Sequence, residues 1–358
     1  MNLITRYVLF RTLKSIAVVF LIFSSLLGLL GYADELARRG SESFSSYHVM
    51  IFTLMELPSE LYSYFFPFIV MVGTLVSVGG LAASSELTAI RATGMSISRL
   101  LVTILFPAVV AIGALFAMGE VLAPALKLEA NAYRAERLDQ QQNLSFANWY
   151  QSGAQMIRVG SFAASDDARG LFLVDLNEND EIVRTVQAQQ ADIGDDVWVL
   201  NEVTSVTWEG TARENLNFQR SFTPSISVAA PLSAELIYNL ASSTAVLTLP
   251  ELWLRVNFLQ ERAVLDDVVA LEFWSRLTAP LLTLALSLVG IAFVFGSIRS
   301  MSMGLRIALG VGLALVLQIA QQFIGPIGLY LGLSAGLSVV LPVLLVLLLG
   351  AVLLRRNS

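Results

Sequence analysis

Six long stretches without a single charged residue dominate the hydrophobic pattern of this chain. They also lack histidine, and they cover residues 15–31, 62–83, 100–119, 277–298, 307–324 and 337–354. A helix needs about 20 mainly apolar residues to cross the hydrocarbon core of a bilayer, where backbone polar groups have to be satisfied within the segment. The pattern therefore predicts three membrane-spanning helices, a long polar segment, and three more membrane-spanning helices.

The polar segment between the third and fourth spans has a period of two instead. Apolar and polar residues alternate in the short runs 155–159, 171–176, 182–188 and 197–208. Clusters of Asp, Asn, Ser and Gly separate these runs, as expected for strands joined by turns. Strands of this length and spacing are typical of a sandwich or jelly roll. Helical patterns flank the strands at 124–138, 231–240 and 250–263.

These patterns together predict the fold class. We expect a polytopic α-helical membrane protein with six transmembrane helices in a 3+3 arrangement and an inserted periplasmic all-β, jelly-roll-like domain. The expected boundaries are 1–135 for the first three spans, 136–265 for the β domain with its flanking helices, and 266–358 for the last three spans.

The charges at the ends of the spans predict the orientation. Nine of the 22 basic residues lie before the first span, between the second and third, between the fourth and fifth, and after the sixth. Only one of the 28 acidic residues, Glu86, lies in these segments. Because loops rich in Arg and Lys stay in the cytoplasm, both termini and the loop of Glu86 should be cytoplasmic. The first span should remain uncleaved, and the β domain should lie outside.

Motifs for catalysis and metal binding are almost absent. A P-loop needs a Gly-Lys pair, whereas the only lysines are Lys14 and Lys127, and neither follows a glycine. The chain has no cysteine, which excludes disulfides and thiolate metal sites. The run 175–180 resembles the start of a calcium loop but has Asp where that loop needs Gly, so an acidic hairpin turn is expected. We therefore assign no catalytic residue and no metal ligand.

One motif leaves an intramembrane hydrolase as an alternative. Residues 332–336 match the Gly-x-Ser-x-Gly pattern of a nucleophile elbow around Ser334. The only histidine, His48, precedes this serine, and no carboxylate partner is evident. Glycines that pack helices closely explain the same residues. Replacing Ser334 with alanine would distinguish the two interpretations.

The loop between the second and third spans has the pattern of a short helix. It offers serine N-caps, an acid in the first turn, a base in the last turn and a glycine at the end, namely Ser84, Ser85, Glu86, Arg91 and Gly94. Leu87 and Ile90 then fall on one apolar side. So short a helix is marginal alone and gains stability by docking. It would dock on a partner or, as a simple connector, on its own bundle.

Three amides share one face of the fifth span. Gln318, Gln321 and Gln322 have the spacing i, i+3 and i+4. Because amides are unfavourable in lipid, this face should meet a partner helix or a substrate cavity or gate. Hydrogen bonds between helices, without a substrate role, explain the same pattern. On the same segment, Gly304, Gly310 and Gly312 would allow close helix packing.

Several short sequence motifs in both halves of the chain give information that the hydrophobic pattern does not contain. The first half contains Glu56-Leu57-Pro58, Phe66-Pro67, Leu81-Ala82-Ala83-Ser84-Ser85-Glu86-Leu87 and Arg91-Ala92-Thr93-Gly94-Met95-Ser96. The second half contains Trp274-Ser275-Arg276, Pro280, the runs 295–300 and 323–326, and Met303-Gly304. In this order the motifs resemble the LptF/LptG permeases, the transmembrane subunits of the lipopolysaccharide export ABC transporter. The resemblance spans nearly the whole chain and is nearer to the LptG branch.

The resemblance implies a mechanism and a set of partners. In this family two different permeases pair side by side, and lipopolysaccharide is extracted from the bacterial inner membrane and passed to a periplasmic bridge. The implied partners are an LptF-type permease, an LptB-type ATPase dimer, an LptC-type bitopic protein and an LptA-type bridge, with no role for nucleic acid. ATP and Mg would be bound by the ATPase, and no cofactor is expected in this chain. The absence of a P-loop then follows.

The resemblance also implies which residues couple the chain to the ATPase. The segment 84–94 matches the coupling helix, which sits in a groove of the ATPase, and Glu86 would pair with a basic residue across that interface. The implied coupling residues are Ser85, Glu86, Leu87, Ile90, Arg91 and Gly94.

Basic residues near the outer rim of the spans would bind the phosphates of lipid A, because the guanidinium fork suits phosphate. The candidates are Arg38, Arg39, Lys127, Arg134, Arg137 and Arg276. Of these, Arg134 and Arg276 fall where the family places basic residues, whereas Gly31 and Asn131 replace two others. Pairing with nearby acids explains Arg137, Arg255 and Arg262 at least as well. A membrane scaffold or sensor, whose β domain binds a partner without transport, is the alternative function.

Overall fold

A computed structural model describes residues 3–39, 45–137, 149–162, 167–177, 181–209, 217–261, 266–295 and 303–357. The chain forms two compact units. The helical unit comprises residues 1–130 and 248–358, and the inserted unit comprises residues 131–247. Within the described residues, six helices are long and apolar enough to cross a membrane, at Leu3–Arg38, Ser46–Ala83, Arg99–Arg134, Asp267–Phe295, Ala308–Tyr330 and Ala335–Arg355. The six predicted spans are confirmed.

The first half of the helical unit contains two helices that are interrupted by π-helical turns. α1 covers Leu3–Arg39, and the second span consists of α2 (Ser46–Glu60), a π-helical segment here named π1 (Leu61–Phe65) and α3 (Phe66–Ala83). α4 is the short helix Glu86–Ala92. The third span consists of α5 (Ile97–Ala117), a second π-helical segment named π2 (Met118–Leu122) and α6 (Ala123–Arg137). π-helical turns inside helices are frequent at functional sites.

The second half of the chain returns to the helical unit through a helix of intermediate length. α7 covers Ala234–Ala241 in the inserted unit, and α8 covers Leu249–Glu261. α9 (Asp267–Phe295), α10 (Met303–Tyr330) and α11 (Ala335–Asn357) complete the helical unit. α8 belongs to this unit, although the sequence pattern grouped residues up to 265 with the β domain. A helical period identifies a helix but not the unit on which it packs.

The core of the helical unit lies between α3 and α9. Leu75 and Val78 of α3 and Leu286 and Val289 of α9 are fully buried in one cluster. Gly290 permits this approach, because a Cβ atom there would lie 2.1 Å from Cδ1 of Leu75. Small residues commonly serve this purpose where membrane helices cross closely.

The glycines of α10 have different environments. A Cβ atom at Gly310 would lie 3.0 Å from Leu75, so the close packing predicted there is confirmed. Gly304 and Gly312 have no described side chain or neighbouring helix within 4 Å of such an atom, and they do not support close packing within this chain.

The described residues of the inserted unit form one antiparallel sheet of seven strands. They are β1 (Tyr150–Ser152), β2 (Gln155–Arg158), β3 (Ser161–Phe162), β4 (Asp167–Leu176), β5 (Ile182–Ile193), β6 (Val197–Glu209) and β7 (Asn217–Ala229). The order is β1-β2-β4-β5-β6-β7, and β3 pairs with β4. The inserted β domain and four of its strands are confirmed as predicted. Within the described residues they form a single meander, since a period of two specifies strands but not which strands pair.

One face of the sheet carries its core. Trp198 and Leu200 of β6 are fully buried and lie opposite Val228 and Ile226 of β7. Ile157 of β2 belongs to the same set of fully buried large side chains. β7 has no counterpart among the predicted strands, although Phe218, Phe222 and Ile226 alternate with polar residues in its sequence.

Candidate functional site

α4 has the shape that its sequence predicted. Leu87 and Ile90 are both only 8% exposed and belong to the core cluster of the helical unit. Gly94 follows the helix with φ of +85°, a left-handed conformation that favours glycine at this position. The predicted helix, its apolar side and its terminal glycine are confirmed.

The start of α4 differs from the prediction. Ser85 precedes the helix with φ of +59°, and its side chain makes no capping hydrogen bond. The hydroxyl of Ser84 instead donates to Oε1 of Glu86 at 2.7 Å and to the carbonyl oxygen of Gly80 at 2.8 Å. The predicted serine cap is therefore wrong for Ser85. A serine can cap only from an extended backbone, which the left-handed turn does not provide.

The carboxylate of Glu86 is bound by α1 of its own chain. The Tyr7 hydroxyl donates to Oε2 at 2.6 Å, and Nη1 of Arg11 donates to both carboxylate oxygens at 2.8 Å. Hydrogen bonds from Tyr7, Ser84 and Arg11 lower the pKa of Glu86 to about 2. The resemblance implied that Glu86 pairs with a basic residue of the ATPase. In the structure its carboxylate accepts hydrogen bonds from Tyr7 and Arg11 of α1.

The other side of α4 is exposed. Thr88, Arg91 and Ala92 face away from the core. Next to α4, a cleft of about 560 Å³ lies against the first turns of α1, and Leu3 and Phe10 in its lining are 77% and 65% exposed. The helix thus presents a mixed polar and apolar surface while its buried side holds it on the bundle.

The three glutamines of α10 line one half-open cavity. This cavity, of about 350 Å³, lies between π1, α9, α10 and α11 and is lined by Gln318, Gln321 and Gln322. Nε2 of Gln318 donates to the carbonyl oxygen of Tyr64 at 3.0 Å. Oε1 of Gln318 and Nε2 of Gln321 are buried without a hydrogen-bond partner among the described residues. One acceptor and one donor are therefore available to a polar occupant or to water.

The predicted phosphate-binding residues are mostly paired with acids. Lys127 forms an ion pair with Glu56. Arg276 donates to Glu272 at 2.8 Å, and its side chain is 11% exposed. Glu272 lies four residues before Arg276 on the same helix, so the sequence already contains this pair. Glu56 lies 71 residues before Lys127, and only the fold brings these two together.

The remaining basic candidates are more exposed or are not described. Arg38 pairs with Asp34 at 3.0 Å, with 68% of its side chain exposed. Arg134 is half-buried on α6. The side chains of Arg39 and Arg137 lie outside the described residues, and so does Arg262. Arg255, expected to pair with acids, is buried on α8.

Two functional candidates, Tyr62 and Glu120, have no counterpart in the sequence analysis. Glu120 lies in π2 and is only 8% exposed. The Tyr62 hydroxyl donates to Oε1 of Glu120 at 2.5 Å, and the backbone N–H of Leu249 donates to Oε2 at 2.7 Å. The sequence feature that indicates Glu120 is a carboxylate directly after the uncharged stretch 100–119. An acid at that depth in the membrane is energetically unfavourable, and such residues are commonly functional.

The structure assigns Ser334 a structural role. Its hydroxyl accepts a weak hydrogen bond from the backbone N–H of Leu337 at the start of α11, and its carbonyl oxygen accepts one from the Ser338 hydroxyl. A Cβ atom at Gly336 would lie 3.0 Å from Trp274, which is the close packing expected of such a glycine. In the part of the chain that the structure describes, no group of three or more His, Asp or Glu side chains could hold a metal ion.

Six apolar helices in two groups of three, with an antiparallel β unit inserted between them, define a polytopic membrane protein of the 3+3 type. A family model described as lipopolysaccharide export system permease LptF/LptG matches residues 6–356. The chain therefore belongs to the LptF/LptG family and is a multi-pass inner-membrane protein.

Two relatives give the degree of similarity. The lipopolysaccharide export system permease protein LptG of Escherichia coli strain K12 is 25% identical over 336 residues, which cover 92% of this chain and 91% of that protein. The LptG protein of Haemophilus influenzae Rd is 22% identical over 333 residues, which cover 90% of each chain. The match thus includes both halves of the helical unit and the inserted unit.

Proposed function

We propose that this chain is the LptG-type permease subunit of a lipopolysaccharide export ABC transporter. The observation that carries the proposal is the family match over residues 6–356, which includes the six spans and the inserted β unit together. A scaffold or sensor would need the β unit and an anchor, but not two sets of three spans with a glutamine-lined cavity beside them.

The partners and orientation complete the proposal. An LptF-type permease would pair with this chain, an LptB-type ATPase dimer would bind ATP and Mg, and LptC-type and LptA-type proteins would carry lipopolysaccharide onward. The bias of basic residues favours cytoplasmic termini and a periplasmic β unit. In this arrangement, ATP hydrolysis by the LptB-type ATPase dimer would supply the energy for transport.

α4 is the element through which that energy would enter. Its exposed residues Thr88 and Arg91 suit contact with the ATPase, whereas Leu87 and Ile90 hold it on the bundle. Glu86 acts as a positioning residue, because its bonds to Tyr7 and Arg11 attach α4 to α1. A displacement of α4 by the ATPase would therefore pull on α1 as well as on the core.

Lipopolysaccharide would be held by basic residues and by the glutamine cavity. A lipid A phosphate would compete with Glu272 for Arg276 and with Glu56 for Lys127, since phosphate offers more acceptor oxygens than one carboxylate. Arg38 and Arg134 join this set by position. The open acceptor of Gln318 and the open donor of Gln321 suit hydroxyl or amide groups of the substrate.

Reconstitution of the complex in proteoliposomes tests the function. We expect lipopolysaccharide to stimulate ATP hydrolysis by the wild-type complex. The double variant Arg134→Ala/Arg276→Ala should reduce photo-crosslinking of lipopolysaccharide about tenfold, because a lost charge-assisted contact is worth about 1.5–3 kcal/mol. The ATPase activity measured without lipopolysaccharide reports whether the complex itself remains intact.

The matched control is Arg184→Ala. Arg184 pairs with Asp175 in the sheet of the inserted unit at 2.7 Å, so its loss removes a similar ion pair elsewhere. Crosslinking by the double variant at the level of this control would rule out the phosphate-binding role. A wild-type complex that lipopolysaccharide does not stimulate would contradict the function itself.

A further inference from the structure

Glu120 is a buried acid inside a helix that crosses the membrane. Its residue exposure is 8%, and the span that contains it runs from Arg99 to Arg134. A carboxylate in such a place is stable only if its oxygens are hydrogen-bonded. Both oxygens of Glu120 are bonded, and each bond reaches a different segment of the chain.

The first bond joins the two π-helical segments. Tyr62 of π1 donates its hydroxyl to Oε1, and its ring lies against Gly119 of π2. A Cβ atom at Gly119 would lie 2.0 Å from that ring, so only glycine leaves it room. Phe66 and Phe116 also contact the ring of Tyr62. The hydroxyl is thereby fixed at the end of a packed aromatic side chain.

The second bond joins π2 to the start of α8. Leu249 is the first residue of α8, and its N–H is one of those that lack an acceptor within the helix. The helix has its own acid in the first turn, but Glu251 accepts from the N–H and hydroxyl of Thr248. Glu120 therefore completes the cap of α8 from a remote part of the chain and adds a negative charge at the positive end of the helix dipole.

Tyr62 also lines the glutamine cavity. Tyr62 therefore lies at the cavity while its hydroxyl binds Glu120, and Glu120 accepts the N–H of Leu249 at the start of α8. We propose that Tyr62 and Glu120 form a relay that couples occupancy of the cavity to the start of α8, the helix by which the chain returns from the β unit. This inference rests on the proposed permease function, because that function supplies the occupant of the cavity.

The relay has a physical basis in the geometry of the hydrogen bonds. An occupant that moves the ring of Tyr62 must stretch the bond to Glu120, because the hydroxyl is at the end of a rigid side chain. The carboxylate then follows Tyr62, and this movement releases the N–H of Leu249 at the start of α8. Tyr62 and Glu120 both lie in π-helical turns, which are rare and occur frequently at functional sites.

Hydrogen exchange measured by mass spectrometry tests the relay in the assembled transporter. In the wild type, addition of lipopolysaccharide should change the exchange of peptides that contain Leu249 by at least about threefold in rate. Tyr62→Phe removes only the hydroxyl and should abolish this change when exchange is measured at a lipopolysaccharide concentration that gives the wild-type level of photo-crosslinking. Glu120→Gln should do the same, since an amide has one acceptor oxygen for two donors.

Two matched controls accompany these variants. Tyr330→Phe removes a hydroxyl from a side chain that is 93% exposed, and Glu129→Gln neutralises an exposed acid on α6. Both should keep the wild-type response. If Glu120→Gln does not insert into the membrane, Tyr62→Phe alone decides, because it retains the carboxylate.

The possible results of these experiments distinguish a failure of the relay from a failure of the proposed permease function. A wild-type response that persists in Tyr62→Phe would overturn the relay and leave the permease function intact. So would lipopolysaccharide-stimulated ATP hydrolysis in the wild type without any change in exchange near Leu249. If lipopolysaccharide does not stimulate hydrolysis at all, the proposed function fails first, and the relay fails with it.

Discussion

At the scale of single residues, the charge of Glu86 is fixed by its neighbours. Three donors from α1 and the preceding turn surround the carboxylate, and its pKa falls to about 2. A group whose folded pKa is lowered from 4.5 contributes stability above the unfolded value and loses it as the pH falls through the folded value. The contact between α4 and α1 is therefore complete throughout the physiological range.

Spin-label mobility on α4 tests this contact. Because the chain has no cysteine, Thr88→Cys gives a unique label on the exposed side of α4. We expect low mobility from pH 8 to about 5 and higher mobility as the pH falls from about 4.5 toward 2. Glu86→Ala should be mobile at every pH. Equal mobility of the two proteins at neutral pH would show that Leu87 and Ile90 alone hold the helix.

The residues of α4 also show which site features a sequence can reveal. The apolar side formed by Leu87 and Ile90 follows from local periodicity, and Gly94 follows from the backbone conformation at the end of the helix. Both features were predicted correctly. The partners of Glu86 could not be predicted, because Tyr7 lies 79 residues away and only the packing of α1 on α3 brings it near. The same limit applies to Lys127, because its acid Glu56 lies 71 residues away. It does not apply to Arg276, because Glu272 lies four residues before it on the same helix and this pair is visible in the sequence.

At the scale of elements, the π-helical segments are the feature that the hydrophobic pattern does not contain. An uncharged stretch predicts a span, and its period does not distinguish α-helical from π-helical turns. Pro67 and Gly119 lie beside or within these segments but have ordinary explanations in a membrane helix. The tertiary contact at π2 is made by Tyr62, which packs against Gly119 and donates to Glu120.

A matched pair of substitutions measures that contact. Gly119→Ala should destabilise the detergent-solubilised protein by about 1–3 kcal/mol, because the added methyl group overlaps the ring of Tyr62. Gly113→Ala lies in the same span, with no described side chain or neighbouring helix within 4 Å, and should be neutral or slightly stabilising. Thermal unfolding followed by circular dichroism provides the comparison. Equal transition temperatures would contradict the packing of π2.

At the scale of the whole molecule, six spans and an inserted β unit were predictable from the sequence. The length of the uncharged apolar stretches predicted the spans, and the change to a period of two between the third and fourth stretches predicted the inserted β unit. The pairing order of the strands was not predictable, because it depends on contacts between residues far apart in the chain. The membership of α8 in the helical unit likewise follows from its packing and its remote cap by Glu120.

Cysteine labelling tests the orientation of the molecule. Gln189→Cys is exposed on β5, and Leu3→Cys is exposed at the start of α1. In cells with a permeabilised outer membrane, an impermeant thiol reagent should label the first and not the second. Both should react after the inner membrane is opened, which controls for accessibility. The reverse result would contradict the cytoplasmic position of the termini.

The bond between Glu120 and Leu249 also has a consequence for biosynthesis. The two residues are 129 positions apart, and a ribosome that adds about 5–20 residues per second needs roughly 6–26 s to pass from one to the other. During that interval the acid is already in a nascent helix, whereas its backbone donor has not been made. The first three spans therefore cannot reach their final packing until the β unit has been completed and α8 has emerged.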